Sequence, residues 1–596
     1  MPFAIRLAAA CLGPALALLG TTAAAAAPAH ATATPVIKSF KVTPLTISAQ
    51  GGKASATAKV HSAQTCAFSI KPKVTGFPVT RRCSSGSASA TLKFPANDSA
   101  STKKFTMKVS VRGGGHTVSA SKTLTQPPLT LSGVKSVTGQ GQSYCALLTN
   151  GHVDCWGSNG FGQLGNGNGK VKSSSRPVAV TGIGGKGVLT GVASVVSDAF
   201  GYGYEYCAVL KSGGVDCWGY NLDGQLGDGT TKNSDTPVAV KGVGGSGLLT
   251  GVVQVQPEIY GFCAALSSGG AACWGLNEDG QLGDNSLTGP DLCGAIESLC
   301  STTPVVVVST TGSGSLGGVA SLTGEGATMC ALLSTGGVDC WGYGPNGQIG
   351  NGQTSGSLYP AAVEGIGGTG SLTGVTSLTG QDNGSSICAR LASGKADCWG
   401  EDTYGELGNG TTGIFNDSPL PVAVDGVGGH GTLGAVASVT GIPGLTNCAV
   451  LTSGGADCWG YDGDSALGDP SEEGLSSDVP VKVAGPGGKG TLAGIAGLVS
   501  GDDPENGGNV CALLKSGGVD CWGFTSAGYS PAPKAVPGFG SKKPLVKVRS
   551  LVSDQYGSNC ALLTSGGVDC WGQDVSGELG NGTHSGSVTP RPVLAP

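Results

Sequence analysis

Residues 207–219 read Cys-Ala-Val-Leu-Lys-Ser-Gly-Gly-Val-Asp-Cys-Trp-Gly, and close variants of this stretch recur along the chain until eight copies are present. In each copy two short, mostly apolar runs flank a three-residue tip that ends in glycine, here Lys211-Ser212-Gly213. A three-residue hairpin loop needs a left-handed residue at its last position, which glycine adopts without a Cβ clash. The stretch therefore predicts a tight antiparallel hairpin.

The turn also determines which residues face each other across the hairpin. Cys207 and Cys217 are symmetric about Ser212, so they are expected to lie directly opposite each other, within reach of a disulfide. The same spacing predicts eight bridges, Cys145–Cys155, Cys207–Cys217, Cys263–Cys273, Cys330–Cys340, Cys388–Cys398, Cys448–Cys458, Cys511–Cys521 and Cys560–Cys570. Two further bridges, Cys66–Cys83 and Cys293–Cys300, are expected outside the repeat, the second within an acidic insertion at residues 285–303.

Each hairpin belongs to a longer unit of four predicted strands, illustrated by residues 191–196, 207–210, 215–218 and 237–240. The first cysteines of successive units lie 49 to 67 residues apart. Four short antiparallel strands repeated at such a period predict a β-propeller over residues 131–596. Eight units favour eight blades, and seven blades with an extra packed unit are the alternative. The final run at residues 591–594 is expected to complete the first blade and close the ring.

Residues 35–130 form a different region, in which apolar and polar residues alternate as in an antiparallel sandwich. The segments Pro35-Val-Ile-Lys-Ser-Phe, Cys66-Ala-Phe-Ser, Gly76-Phe-Pro and Cys83-Ser-Ser resemble an immunoglobulin-like module of secreted actinobacterial proteins. The predicted fold is therefore all-β, an immunoglobulin-like sandwich followed by a β-propeller.

The first 31 residues predict a secretory signal peptide, because Arg6 precedes an apolar stretch that ends in a run of small residues. Cys11 lies in this segment, which leaves 20 of the 21 cysteines, an even number that is typical of a disulfide framework in an exported protein. The sequence predicts a secreted or cell-surface protein that is a monomer and has no transmembrane segment.

Charge divides the chain into two opposite parts. Residues 31–130 hold 14 Lys and Arg against one acid, Asp98, whereas residues 131–596 hold 19 Lys and Arg against 38 Asp and Glu. The basic sandwich is predicted to dock on an anionic cell-surface polymer, with simple solubility as the alternative. No aromatic residues are interleaved with the basic ones in the way that base stacking requires, so specific nucleic-acid recognition is not expected.

The units resemble the regulator of chromosome condensation repeat, in the form found in secreted bacterial proteins. The resemblance rests on Cys155-Trp-Gly-Ser-Asn-Gly-Phe-Gly-Gln-Leu-Gly165 and on the corresponding GQLG segments of the later units. Unit six retains only Ala466-Leu-Gly468, and unit seven has residues 524–529 in place of the segment. The resemblance implies a propeller, usually of seven blades. The family's nucleotide exchange on a nuclear GTPase is not expected here, because no exchange-site residues can be matched.

No catalytic, metal or cofactor motif is found in the sequence, so the protein is predicted not to be an enzyme and to need no cofactor. GxGxxG occurs six times, first at residues 182–187, but each copy leads into a short strand and is interpreted as a blade linker. Aspartates recur before the second cysteine, and strand alternation favours a local structural role over a cation site: Asp154, Asp216, Asp339, Asp397, Asp457, Asp520 and Asp569.

Aromatic residues that interrupt the repeat are the candidate partner-binding residues. They precede the first cysteine of units two and three and comprise Phe200, Tyr202, Tyr204, Tyr206, Tyr260 and Phe262. Tyrosine-rich loops suit protein recognition. The sequence thus favours a secreted, non-catalytic binding or scaffold protein with an unknown protein partner. The alternatives are an enzyme inhibitor of the β-lactamase-inhibitory type and a carbohydrate-binding or carbohydrate-active propeller.

Overall fold

The computed structural model describes residues 33–99, 101–197, 204–294, 298–380, 386–442, 445–471, 474, 476–501 and 508–596. The chain forms two compact units, of which the first holds residues up to Ala96 with Lys103–Gln126, and the second holds Asn97–Thr102 with Pro127–Pro596. The predicted all-β class is confirmed, since the described regular structure consists of strands and four short 3-10 turns. These turns are Ile183–Gly185, Val243–Gly245, Ile366–Gly368 and Val427–Gly429.

The first unit is a two-sheet sandwich. One sheet has the order β1-β2-β5 and the other has the order β4-β3-β6-β7. The strands are β1 (Val36–Thr43), β2 (Gly52–His61), β3 (Thr65–Lys71), β4 (Val79–Arg82), β5 (Ser87–Phe94), β6 (Lys103–Gly113) and β7 (His116–Gln126). Alternate residues of both sheets, such as Ala56, Leu92, Phe68 and Val109, share one buried core, as period-two patterning requires.

The second unit contains eight antiparallel sheets, which we number blades 1 to 8 in chain order. The first strand of each blade contacts the first strands of both neighbouring blades, so these strands line the centre of a ring. They are β8 (Val134–Gln140), β12 (Val192–Ser197), β16 (Val252–Glu258), β21 (Val319–Glu325), β25 (Val375–Gly380), β29 (Val436–Ile442), β33 (Ile495–Gly501) and β37 (Val548–Ser553).

The second and third strands of each blade form the hairpins predicted from the sequence. The second strands are β9 (Ser143–Leu148), β13 (Glu205–Leu210), β17 (Gly261–Leu266), β22 (Thr328–Leu333), β26 (Ser386–Leu391), β30 (Thr446–Leu451), β34 (Asn509–Leu514) and β38 (Ser558–Leu563). The third strands are β10 (Val153–Ser158), β14 (Val215–Gly219), β18 (Ala271–Leu276), β23 (Val338–Gly342), β27 (Ala396–Gly400), β31 (Ala456–Gly460), β35 (Val519–Thr525) and β39 (Val568–Gly572).

The fourth strands lie on the outside of the blades. They are β11 (Ser173–Ala179), β15 (Ser234–Ala239), β20 (Ser298–Val306), β24 (Ser357–Ala362), β28 (Ser418–Ala423), β32 (Ser477–Lys482), β36 (Gly528–Ala535) and β40 (Ser587–Pro592). Blade 3 has one additional strand, β19 (Asp291–Cys293), which pairs with β20 inside the acidic insertion.

All ten predicted cysteine pairs are disulfides in the structure. In the blades the two cysteines are register partners, as Cys207 and Cys217 illustrate, and their Cα atoms are 4.0 to 4.1 Å apart. The glycine at the hairpin tip has a positive φ, 83° at Gly213. The turn chemistry inferred from the sequence therefore explains the pairing.

The GQLG segment or its variant joins the blade to the next at seven of the eight junctions, and every residue in it has a role. In blade 1, a Cβ on Gly162 would lie 2.7 Å from the Cα of Asp235 in blade 2, and a Cβ on Gly165 would lie 2.9 Å from the Trp218 indole. The Gln163 carbonyl accepts the Trp218 indole N–H at 2.9 Å, and Leu164 is fully buried. The segment is thus the packing contact between blades.

Eight blades are confirmed over the alternative of seven, and blade 8 meets blade 1. The predicted completion of blade 1 by residues 591–594 is wrong, because β40 is the fourth strand of blade 8. Thr130 bridges Leu594 beyond that strand, and the Trp156 indole N–H donates to the Glu578 carbonyl. The ring is therefore closed by contacts of the kind found at the other blade junctions.

Candidate functional site

The third strand of each blade ends beside the connection between the first and second strands. The N–H of Tyr220 donates to the carbonyl of Tyr204 at 3.0 Å, and the N–H of Tyr343 donates to that of Ala327 at 3.0 Å. The same bond is formed in blades 6 and 7, by Tyr461 and Phe524. Among the described residues this bond is formed in seven blades, so residues two positions after the tryptophan occupy one equivalent place there, on the side that we call the loop face.

Aromatic side chains are concentrated on this loop face. We call them the loop-face aromatics, and they are Phe161, Tyr204, Tyr220, Tyr260, Tyr343, Tyr404, Tyr461, Phe524 and Tyr529. Six of them, Phe161, Tyr343, Tyr404, Tyr461, Phe524 and Tyr529, are each exposed by 36% to 43%, and the other three are half-buried. Large amphipathic rings held at intermediate exposure are the side chains that dominate protein interfaces.

The loop-face aromatics pack into groups across blade junctions. The Phe161 ring of blade 1 lies 4.5 Å from the Tyr204 ring and 5.3 Å from the Tyr220 ring, both of blade 2. Tyr404 of blade 5 lies 4.9 Å from Tyr461 of blade 6 in an edge-on arrangement. These contacts restrain the rings before any partner arrives, which lowers the entropy lost on binding.

The candidate residues from the sequence have different outcomes. Phe200 and Tyr202 lie outside the described residues, and Tyr204 and Tyr260 are loop-face aromatics. The prediction is wrong for Tyr206 and Phe262, whose side chains are fully buried. Their register partners are Trp218 and Trp274, against which their rings pack with centroids 6.1 Å apart.

Burial of Tyr206 follows from the same arithmetic that pairs the cysteines. If Cys207 faces Cys217, the preceding residue must face Trp218, and the indole lies in the core between blades. The Tyr206 hydroxyl is also enclosed, 2.9 Å from the Ser143 hydroxyl of blade 1. This side chain therefore stabilises a blade junction and presents no surface to a partner.

Several loop-face aromatics were not predicted, although the sequence contains a signal for them. Tyr220, Tyr343, Tyr461 and Phe524 all stand two positions after a repeat tryptophan. This position is aromatic in four units and not in the other four, a pattern that is seen only when the eight units are aligned. Phe415, in the longer loop of blade 5, is 92% exposed and has no repeat signal.

Acidic side chains lie near Tyr220, one of the loop-face aromatics. Burial raises the pKa of Tyr220 to about 12, with further contributions from Asp223, Tyr260 and Glu205. Burial also raises the pKa of Asp223, and the charge of Glu278 in the next blade adds to the effect. The loop face around Tyr220 is therefore acidic and partly desolvated, which favours a partner with cationic groups there.

The aspartates that precede the second cysteine are largely removed from solvent. Burial raises the pKa of all seven, to about 6 at Asp216 and Asp397. Among the described residues, no group of three or more His, Cys, Asp and Glu is arranged to hold a metal ion. Within the same residues, no helix is long and apolar enough to cross a membrane.

Comparisons with known proteins agree with the repeat. Residues 138–163 and 212–256 match the family model of the regulator of chromosome condensation (RCC1) repeat. The chain is 27% identical to the human E3 ubiquitin-protein ligase HERC2 over 388 residues, which cover 63% of this chain and 7% of that protein. It is 32% identical to the human probable E3 ubiquitin-protein ligase HERC4 over 223 residues, or 37% of this chain and 18% of that protein.

The chain thus spans less than a fifth of the length of either relative. Among solved structures, human WBSCR16 has a TM-score of 0.47 and 18% identity, and the match covers 74% of this chain and 94% of that one. Prp20p from Saccharomyces cerevisiae, described with its binding to Gsp1p and histones, has a TM-score of 0.44 and 16% identity over 68% of this chain and 90% of its own. Residues 138–163 and 212–256 are therefore identified as regulator of chromosome condensation repeats, and the described blades form an eight-bladed β-propeller.

Proposed function

We propose that the chain is an exported, non-catalytic binding protein whose propeller holds a protein partner on the loop-face aromatics. The observation that carries the proposal is the shared register of Tyr220, Tyr343, Tyr461 and Phe524, which places an aromatic ring at the same point of four blades, exposed in three of them and half-buried at Tyr220. The RCC1-type propeller fits a protein-interaction surface, and the acidic surroundings favour a partner with a basic patch.

The fold itself does not require an aromatic residue at this position. Blades 1, 3, 5 and 8 have Ser158, Leu276, Glu401 and Gln573 there. The N–H of Ser158 donates to the carbonyl of Gln142 at 2.9 Å, as the tyrosine N–H does in its own blade. Because the backbone at this position is the same with serine in blade 1 and tyrosine in blade 2, the fold does not determine the side chain there, which is free to serve recognition.

Export is supported by the cysteines and by the N-terminal sequence. Ten disulfides in one chain suit an oxidising compartment, and residues 1–31 have the pattern of a signal peptide. No observation specifically favours an enzyme inhibitor or a carbohydrate-binding propeller. Identification of the partner would decide between these alternatives.

The proposal is tested by capturing partners from the medium in which the protein is naturally found. The bait is compared with a loop-face variant, Tyr220→Ala/Tyr343→Ala/Tyr461→Ala. A matched linker variant, Ile183→Ala/Leu248→Ala/Ile366→Ala, removes three other exposed apolar side chains. The proposal predicts a protein that the wild type and the linker variant retain and the loop-face variant loses. Equal recovery by all three baits would reject it.

The sandwich unit supports a second, separate contact with an anionic polymer of the cell surface. Lys53 of β2 and Lys93 of β5 are register partners on the exposed face of the sheet. Like charges placed directly opposite each other destabilise a sheet, and an anion between them removes that repulsion. Lys41 and Lys59 are exposed on the same face, so a linear polyanion would meet several cations at once.

A further inference from the structure

Seven of the eight blade junctions are filled by the same kind of loop. At each of them a tryptophan indole N–H donates to a carbonyl of the preceding blade at 2.7 to 3.0 Å. An aliphatic side chain of the loop is fully buried beside the indole. These side chains are Leu164, Leu226, Leu282, Ile349, Leu407, Leu467 and Leu579.

The junction between blades 7 and 8 lacks this loop. Trp522 and Ser530 are eight residues apart, against sixteen for the equivalent Trp218 and Ser234 of blade 2. In blade 7 the chain turns back at once, and β35 pairs with β36 up to Thr525 and Gly528. The short hairpin leaves no segment to reach across to blade 8.

Three consequences are seen on blade 8. The Trp571 indole N–H is not among the seven that donate to the preceding blade, and Trp571 is 4% exposed where the other seven tryptophans are 0% exposed. Val588, the strand residue that the missing loop would cover, is 55% exposed, whereas its equivalents such as Asp235 and Pro419 are half-buried. An open cleft of about 430 Å³ lies between Phe524, Thr525, Gly572, Gln573 and Val588.

We propose that this cleft, the vacant junction, binds a loop of a partner polypeptide that supplies what blade 7 lacks. The seven filled junctions define the chemistry of the occupant. It carries a glycine at positive φ against the fourth strand, a backbone carbonyl for the Trp571 N–H and an aliphatic side chain beside the indole. A cleft of this volume lies within the range of ligand pockets and has room for one such turn.

A second copy of this chain is not the expected occupant. Its own loops of this type are committed to its own junctions, as the complete burial of Leu164 and Leu226 shows. The partner is therefore a different protein with an exposed glycine-aliphatic turn. Phe524, a loop-face aromatic, lines the vacant junction, but Tyr220, Tyr343 and Tyr461 do not. The loop-face variant therefore leaves the cleft lining intact, and the two proposals can fail separately.

The test uses a cyclised peptide with the sequence of residues 157–167, Gly-Ser-Asn-Gly-Phe-Gly-Gln-Leu-Gly-Asn-Gly, because cyclisation reduces the entropy lost on binding. The peptide is titrated into the full chain while the indole N–H signals are followed by NMR. The proposal predicts one rapidly exchanging indole proton, assigned to Trp571 with Trp571→Phe, which shifts and exchanges at least tenfold more slowly as peptide is added.

Two variants distinguish the cleft from non-specific binding. Val588→Arg, inside the cleft, is expected to weaken peptide binding at least tenfold, and Val575→Arg, exposed on blade 8 outside the cleft lining, is expected to leave it unchanged. A peptide with alanine at the Leu164 position is expected to bind at least tenfold more weakly. No shift of the Trp571 signal, equal binding by both variants, or self-association of the chain through the cleft would overturn the proposal.

A graft gives an independent measurement if the arginine variant does not fold. Residues 573–586 of blade 8 replace residues 524–529 of blade 7, so that the chain fills its own vacant junction. The proposal predicts slow exchange of the Trp571 indole proton without peptide, together with loss of peptide binding. Rapid exchange of that proton in a folded graft would contradict it.

Discussion

The indole N–H of Trp156 in blade 1 donates to the backbone carbonyl of Glu578 in blade 8 at 2.7 Å. This bond connects the two ends of the propeller, because Trp156 lies near its beginning and Glu578 near its end. No strand of blade 8 crosses into blade 1 among the described residues. The closure therefore depends on the same tryptophan-to-loop contact that joins the neighbouring blades.

Replacing the closing tryptophan tests this contact. Trp156→Phe removes the N–H and leaves the Glu578 carbonyl buried without its donor, which costs about 1–3 kcal/mol of unfolding free energy. Trp571→Phe makes the same change at the one repeat tryptophan for which the described residues show no such bond to the preceding blade, so it serves as the matched control. Chemical denaturation under oxidising conditions should show the larger loss for Trp156→Phe. Equal losses would contradict the closure by this bond.

The last glycine of the GQLG segment is expected to tolerate no side chain. Gly408 has a φ of 64°, and a Cβ there would lie 2.8 Å from the Trp459 indole. Gly374 has a φ of 73° with nothing within 4 Å. Gly374→Ala should cost about 1 kcal/mol from backbone strain alone. Gly408→Ala should cost about 1–3 kcal/mol more from overpacking, and denaturation midpoints that do not differ would refute the packing role.

Two glutamates take the place of the GQLG glutamine, and they predict a pH-dependent stability. Burial raises the pKa of Glu406 to about 7 and that of Glu578 to about 8. Between about pH 4.5 and pH 8 the folded chain retains protons that the unfolded chain has lost, so the free energy of unfolding falls as pH rises.

Glu406→Gln/Glu578→Gln should remove this contribution to the free energy of unfolding. Gln163 fills the same position in blade 1, where its side-chain oxygen accepts the backbone N–H of Phe161, as a carboxyl oxygen of Glu406 accepts that of Tyr404. The melting temperature of the double variant is expected to exceed that of the wild type at pH 8.5 and to differ little at pH 4.5. A difference between the two proteins that stays constant over this range would show that the carboxyls are not protonated in the fold.

The sandwich should hold the full chain on a polyanionic resin. Lys53→Glu/Lys93→Glu reverses the paired charges of β2 and β5, and we expect the variant to elute at a lower salt concentration than the wild type. Lys170→Glu/Lys172→Glu makes the same change in charge on the propeller and serves as the control. Equal elution of both variants would assign retention to net charge alone.

The blade architecture was predictable because the hairpin turn fixes the register. Once Gly213 ends the tip, Cys207 must face Cys217, and the same reasoning predicts the four-stranded unit. The route of closure was not predictable in this way. The sequence of residues 591–594 predicts a strand but not its neighbour, and only the pairing of β40 with β39, with Arg591 opposite Cys570, shows that the strand belongs to blade 8.

The candidate site was predictable only in part. Interruption of the repeat predicts Tyr204 and Tyr260 as partner-binding residues, and this stays a prediction; an interruption does not tell whether a side chain faces solvent or the next blade. Tyr206 lies in the same tyrosine-rich stretch as Tyr204 but is buried. The face on which a side chain lies depends on its exact register in the strand, which the interruption alone does not give. The remaining loop-face aromatics follow the repeat, so a search for its interruptions passes over Tyr343 and Tyr461.

The central claim is that a protein partner binds the loop-face aromatics. It is tested most directly by the dissociation constant of the captured partner for wild type, loop-face variant and linker variant. If each of Tyr220, Tyr343 and Tyr461 contributes about 1 kcal/mol or more, the loop-face variant should bind at least about 100-fold more weakly, with the linker variant within about threefold of wild type. Equal dissociation constants for the two variants would contradict the claim.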